Sequence, residues 1–235
     1  MNKEIQIEFN AGNLIPHYQQ KFRLYDRFLP HLAPYLEGII VDVGANCGAL
    51  AVSMGLNNPQ LSFICVEPED QCLELLHKNI KKISNKVDVI KGKVGTEDIK
   101  LDEIVKEGVG LLKVDVDGYD WDVIDTFSFA TKPPIYIEED GKEEWQYSKY
   151  FEMNHKLKEQ GYNNIWMFDN YGCLIGFTNN WTEVDTLNAY INRMKKGKSE
   201  QTLWYVDLLV CQDADVQSLG GAVLAYLEKL SLIHI

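Results

Sequence analysis

Val41-Asp-Val-Gly-Ala-Asn-Cys-Gly48 is an apolar, β-branched run that ends in two closely spaced glycines. The residues before Gly44 favour extended chain. Gly44 and Gly48 permit the tight turn and close packing that a strand-to-helix passage needs. About twenty residues on, a second apolar run ends in Glu67, a carboxylate at a strand tip. Strand, glycine loop, helix and acid-tipped strand in that order describe a pocket for an adenosine-containing cofactor.

Two cofactors fit that outline, and the loop discriminates between them. A dinucleotide fingerprint has glycines spaced G-x-G-x-x-G, the second admitting the pyrophosphate to the backbone. Asn46 stands at that second position and the next glycine is Gly48. An asparagine side chain crowds a pyrophosphate but can hydrogen-bond the amino-acid end of a smaller ligand, which favours S-adenosylmethionine over NAD. Asp42 is placed to hold an ammonium group directly or through water, and Glu67 to accept from both ribose hydroxyls. The plain alternative for Gly44 and Gly48 alone is a turn against a packed helix.

Outward from this loop the chain alternates β-rich runs with amphipathic stretches from Gly38 on, the pattern of a doubly wound parallel sheet. The spacing predicts strands near 38–43, 61–67, 86–91, 110–115, 134–139, 163–168 and 204–211. Helices are expected over 48–57, 69–82, 97–107, 119–129, 142–160 (closed by Gly161 as C-cap) and 213–231. Residues 1–37 lie outside the repeat. Tyr18, Phe22, Tyr25 and Phe28 recur there at helical spacing before Pro30 and Pro34. The segment reads either as an amphipathic helix on the sheet edge or as a lid whose Arg23 or Arg27 reaches a substrate phosphate. Residues 38–235 form the main domain, with a substrate-side insertion at about 169–201. That insertion holds a turn at Asn170-Tyr-Gly172, an apolar run to Phe177 and a helix over about 182–194.

With 235 residues the chain suits one domain with additions. Its formal charge of −12 opposes nucleic acid as a partner. Lys78, Lys81 and Lys82 read as a solvated helix face, and Lys195, Lys196 and Lys198 as a loop. Five cysteines without a C-x-x-C pair suggest reduced thiols and a cytoplasmic location. The start lacks an apolar signal region and no run is long enough for a membrane span.

A second motif, Leu111-Leu-Lys-Val-Asp-Val-Asp-Gly-Tyr-Asp120, carries the fourth strand into its loop and sets Asp115 and Asp117 at the sheet's carboxyl edge. Ile135-Tyr-Ile-Glu-Glu-Asp140 adds more carboxylates beside them. Acids gathered on one rim repel each other, which implies a cation, a shared proton or a hydrogen-bonded substrate. Asp117 and Asp120 have the plain alternative of turning the chain and capping the next helix.

VDVGANCG, FICVEPE, Leu101-Asp-Glu-Ile104, LKVDVDGYD and PPIYIEED resemble the successive motifs of FkbM-type methyltransferases, over roughly residues 38–140. The resemblance implies a Rossmann-like class I methyltransferase fold, α/β, with a seven-stranded, mostly parallel sheet and helices on both faces. It implies S-adenosylmethionine-dependent O-methylation, commonly of glycans or secondary metabolites. By position, Asp42, Gly44, Ala45, Asn46 and Gly48 would hold the methionine part, Glu67 with Pro68 the ribose, Lys93 with Val94 would neighbour the adenine, and Asp115 is a further expected cofactor contact. The family more often has Glu at the positions of Asp117 and Asp120, so the acids here reach less far. GFTNNW, ending at Trp181, resembles members found with polysaccharide genes.

A sugar hydroxyl, on a nucleotide sugar or a glycan precursor, is the expected acceptor. Such a hydroxyl is a poor nucleophile while protonated, so a base or metal should assist. Asp115 or Asp117 is the expected base, Glu138 orients the acceptor, and Tyr119 with Arg23 and Arg27 contacts substrate. In a variant, Mg²⁺ bridges Asp115, Glu138 and Asp140. A NAD-dependent sugar-modifying enzyme and a catalytically silent binding protein on the same fold are the rival readings.

Overall fold

Eight strands form one sheet in the order β3-β2-β1-β4-β5-β8-β6-β7. The computed structural model describes residues 6–22, 24–25, 27–197 and 203–231. Strands β1 (Ile39–Val43), β2 (Ser62–Glu67), β3 (Val87–Lys91), β4 (Val109–Val114) and β5 (Ile135–Glu139) run parallel. β6 (Asn164–Asp169), β7 (Leu174–Thr178) and β8 (Val206–Cys211) complete it, with β8 inserted antiparallel between β5 and β6. The eighth strand, one more than expected, is β7. The apolar run to Phe177 folds back on β6 as a hairpin, and Gly172 takes the left-handed conformation (φ +82°) that its turn needs.

The central strands are apolar over most of their length because both faces are covered, and their charged residues, among them Asp42, Lys113 and Glu138, gather toward the carboxyl ends. Ile40, Phe63, Leu111 and Leu209 enter one core layer, with α2 (Phe28–Leu32), α3 (Ala49–Asn57) and α9 (Val216–Ser231). Val41, Val43, Leu112, Val114, Ile135 and Ile137 enter the other, with α6 (Asp120–Asp125), α7 (Glu144–Glu159) and α8 (Trp181–Lys196). Gly161 closes α7 at φ +86°, as its position predicts.

Several helices differ from the sequence reading. The stretch 97–107 forms only α5 (Leu101–Ile104), because Thr96 is drawn away to Asp122 and Gly108 turns the chain at φ +82°. The stretch 119–129 stops at Asp125, where Thr126 caps the end and Phe127 and Phe129 turn into the core. The N-terminal helix is two: α1 (Ile15–Lys21) and α2, with a break between them. Pro30 sits in the first turn of α2, where a missing N–H does no harm, so it opens a helix rather than ending one. Lys195 and Lys196 belong to the last turn of α8, not to a loop, and Lys198 lies outside the described residues.

Candidate active site

At the carboxyl edge of the sheet, where the strand order reverses between β1 and β4, a cleft of about 930 Å³ opens. This is the switch point at which open α/β sheets bind ligands. Side chains alternate along a strand, so Asp42 (beyond Ile40), Lys113 and Asp115 (beyond Leu111), Glu138 (beyond Tyr136) and Asp207 (before Leu209) all emerge on one face. All five line the cleft.

The glycine loop is fixed from two sides. Gly44 and Ala45 donate their N–H groups to the Val66 carbonyl, 3.0 Å each. A Cβ on Gly44 would meet the Asp115 carbonyl oxygen at 1.9 Å, so only glycine fits where β1 passes β4. Glu67 Oε2 accepts from the Asn46 N–H (2.8 Å) and Oε1 from the Glu69 N–H (2.9 Å). Each oxygen keeps a lone pair for a further donor. Asn46 adopts left-handed backbone (φ +49°), and its Oδ1 accepts from the Cys47 N–H at 2.8 Å. That oxygen serves the loop itself rather than standing ready for a ligand. Pro68, Lys93 and Val94 line the cleft beyond Glu67.

Lys113 is a cleft residue that the sequence reading missed. Its ammonium lies 3.1 Å from Asp42 Oδ1, 3.3 Å from Asp115 Oδ2 and 3.1 Å from the Gly44 carbonyl. Burial alone would lower its pKa, but Asp115 and Asp42 outweigh that and hold it protonated, above its usual value. Asp42 is buried, and its Oδ2 has no hydrogen-bonding partner among the described residues. A buried carboxylate oxygen facing a cleft calls for a donor.

The acids of the second motif separate into distinct roles. Asp120 is wholly buried: it accepts from the Val116 N–H (3.0 Å), the Gly118 N–H (3.2 Å) and the Tyr150 hydroxyl (3.1 Å). It therefore folds the 115–120 loop, and burial, with Asp115 adding, pushes its carboxyl up to about 7. Asp117 sits at the loop tip at φ +57°, its side chain 90% exposed and 3.8 Å from Lys142. Asp115, 43% exposed, turns into the cleft.

Glu138 faces Asp207 directly across the β5–β8 pair. Burial raises its carboxyl well above the usual range, and Asp115, Asp207, Asp120 and Asp140 add to the rise. Asp207 and Tyr205 reach this edge because β8 runs antiparallel, bringing its amino end to the carboxyl ends of its neighbours. Glu139 projects to the opposite face, where Asn188 donates to it, and burial pushes its carboxyl up to about 8. Asp140 is held by Lys195 at 3.0 Å. Asp115, Glu138 and Asp140 all line the cleft, but among the described residues no three acidic, His or Cys side chains form a metal-binding group, which corrects the expected Mg²⁺ bridge.

Of the expected substrate contacts, Tyr119 lines the cleft rim. Arg27 is exposed at the start of α2 and does not line the cleft, while Arg23 lies outside the described residues. Asn13, Leu14, Ile15, Tyr18 and Gln19 line the cleft from the N-terminal side.

The sequence model of the methyltransferase FkbM domain matches residues 38–163, more than half of the chain. The chain belongs to the FkbM methyltransferase family. Its sheet order through β5, with an antiparallel strand beside β5, is the class I methyltransferase architecture. Among solved structures, the delta-N METTL16 MTase domain matches this FkbM chain with a TM-score of 0.51 at 11% identity, covering 89% of this chain and 90% of that one. M. jannaschii TYW2 in complex with AdoMet gives 0.49 at 16% identity, covering 87% and 77%. The human methyltransferase 10 domain containing protein gives 0.49 at 12%, covering 88% of each. Among curated proteins none matches the chain. Among the described residues, no helix is long and apolar enough to cross a membrane.

Proposed function

We propose that this FkbM methyltransferase uses S-adenosylmethionine to methylate a sugar hydroxyl, on a nucleotide sugar or a glycan precursor, in the cytoplasm. The observation that carries the reading is the one-face array of Asp42, Lys113, Asp115 and Glu138 at the switch point beside the Glu67-clamped loop. Asp42 Oδ2 would receive the ammonium of the methionine part, with Gly44, Ala45 and Asn46 as its floor; Gly48, expected beside them, instead starts α3 and packs toward Leu76 and Ile80. Glu67, with Pro68 beside it, would take the ribose hydroxyls on its remaining lone pairs, and Lys93 and Val94 would flank the adenine. Bound there, S-adenosylmethionine supplies an electrophilic methyl group on a sulfonium.

The protein's own share is alignment and proton handling. Holding an acceptor oxygen in line with the methyl group removes much of the entropic barrier. Glu138, whose raised carboxyl makes it a stronger base than an ordinary glutamate once ionised, accepts the hydroxyl proton. Asp115, steadied by Lys113, orients the acceptor. This exchanges the roles that the sequence alone suggests for the two acids, and leaves the exposed Asp117 outside the chemistry. The N-terminal segment ahead of the 38–235 domain supplies a lid through Asn13, Leu14, Ile15, Tyr18 and Gln19, which line the cleft. The Mg²⁺ variant is not retained, since Lys195 engages Asp140 and no metal-binding group forms among the described residues.

The test is incubation of the protein with methyl-labelled S-adenosylmethionine and a panel of sugars and nucleotide sugars. Label is expected in an alkali-stable ether on a sugar. Label only in nitrogen or carboxyl positions would contradict the reading.

A further inference from the structure

Tyr119, at the rim of the cleft, begins a surface that the methyl-transfer reading leaves unused. Its ring lies 6.2 Å from that of Trp121, and Trp121 lies 6.0 Å from Trp145 in an edge-on arrangement. Tyr119 and Trp145 are 53% and 50% exposed. Large exposed aromatics in one row beside a cleft mark a binding surface more often than chance.

The row is held rigidly. Gln146 Nε2 donates to the Gly118 carbonyl (2.8 Å), while its Oε1 accepts from the Lys142 and Glu143 N–H groups. The Tyr150 hydroxyl donates to Asp120, tying α7 to the same loop. Trp121 Nε1 is buried without a hydrogen-bonding partner among the described residues, and the Lys149 ammonium lies over its ring, 5.8 Å from the centroid. Tyr119 and Trp145 are therefore presented from elements locked together, as a stacking surface needs.

The charge of the cleft limits what lies across that surface. Ten acidic residues and two lysines line it among the described residues. One of the lysines, Lys113, is bracketed by Asp42 and Asp115, and Lys93 stands on the side of Glu67. Beside the aromatic row, Lys142 and Lys149 face Asp117 and Glu152. A diphosphate at the acceptor end would meet carboxylates, whereas an uncharged sugar would meet hydrogen-bond acceptors and flat apolar rings suited to its C–H faces.

We propose that the acceptor is an uncharged oligosaccharide, whose modified sugar enters the cleft at Glu138 and Asp115 while the next sugar stacks on Tyr119 and Trp145. This rests on the methyltransferase reading above and selects the glycan over the nucleotide sugar.

The experiment offers the full chain labelled S-adenosylmethionine with uncharged mono-, di- and trisaccharides and with nucleotide-diphosphate sugars. Calorimetry with S-adenosylhomocysteine runs alongside. Label is expected in an uncharged di- or trisaccharide. Trp145→Ala is expected to raise the acceptor KM about tenfold, near the strength of one stacked ring. Trp145→Phe restores it, and the affinity for S-adenosylhomocysteine is the same in all three proteins. Label confined to nucleotide sugars overturns the proposal, as does an acceptor KM indifferent to Trp145→Ala and Tyr119→Ala. Intact S-adenosylhomocysteine binding with every uncharged oligosaccharide inert also overturns it. Absence of S-adenosylhomocysteine binding would instead remove the methyltransferase reading on which it stands.

Discussion

Lys113 and Asp42 stand level on neighbouring parallel strands, and their charges meet 3.1 Å apart beneath the cleft. The lysine also reaches Asp115, so one ammonium separates two carboxylates. Removing one member of a buried ion pair leaves the others uncompensated, at about 3–5 kcal/mol. Lys113→Met is expected to lower Tm by roughly 10 °C and to weaken S-adenosylhomocysteine binding. Thermal scans and calorimetry check this, and an unchanged Tm would show that the pair is dispensable.

The two loop glycines are expected to differ in tolerance. Gly48→Ala meets the Leu76 side chain at 3.2 Å and, in ordinary contact, the Ile80 side chain at 3.5 Å, together with the strain of φ +75°. That strain is about 1–2 kcal/mol. Gly44→Ala has the same backbone strain and also drives its Cβ into the Asp115 carbonyl. Urea titration of both variants is expected to give a folded, slightly weakened Gly48→Ala and a Gly44→Ala protein that is grossly destabilised. Equal losses would mean that β1 and β4 are not in this close contact.

Stability is expected to fall as pH rises. Burial lifts the carboxyl of Glu139 from 4.5 to about 8, and that of Asp120 from 3.8 to about 7. The folded state thus holds protons that the unfolded chain releases. The associated stability is full below the unfolded values and is lost as pH climbs through the folded ones. Glu139→Gln keeps an acceptor for Asn188 and has nothing to titrate. Its Tm is expected to fall less steeply than that of the unaltered protein between about pH 5 and pH 8. Parallel curves would assign the slope elsewhere.

Catalysis is expected to separate the acids that the sequence groups together. Glu138→Gln should lower kcat by about 10²–10⁴-fold, the usual contribution of a positioned base. Asp117→Asn, at an exposed ion pair, should change it by less than about tenfold. Steady-state rates with a labelled methyl donor distinguish these outcomes, and the reverse ranking would return the base to the 115–117 loop.

The strands and the glycine loop were legible because their determinants are local: β-branched runs, glycines at turns and an acid at a strand tip. Lys113 was not, since a lysine inside Leu111–Val116 acquires meaning only through its neighbours on β1. The alternation Lys113, Asp115, Asp117 against Val114 and Val116 was the available signal. Asp207 depends on the antiparallel insertion of β8, a long-range pairing with no local signature. The helices over 97–107 and 119–129 shortened for a similar reason, as Thr96, Thr126 and the core phenylalanines answer to tertiary partners. Asp120 was legible as a turn-forming acid, although its partner Tyr150 lies thirty residues away.

The central claim is that the Val41–Gly48 loop and Glu67 form a methyl-donor site. Its most direct measurement is calorimetric titration of the full chain with S-adenosylhomocysteine, with NAD titrated in parallel and Glu67→Ala as the variant. Saturable heat is predicted for S-adenosylhomocysteine at one site per chain and none for NAD. The variant is predicted to bind about tenfold to a hundredfold more weakly, having lost hydrogen bonds to a charged group. Saturable heat with NAD, or none with S-adenosylhomocysteine, would contradict the account.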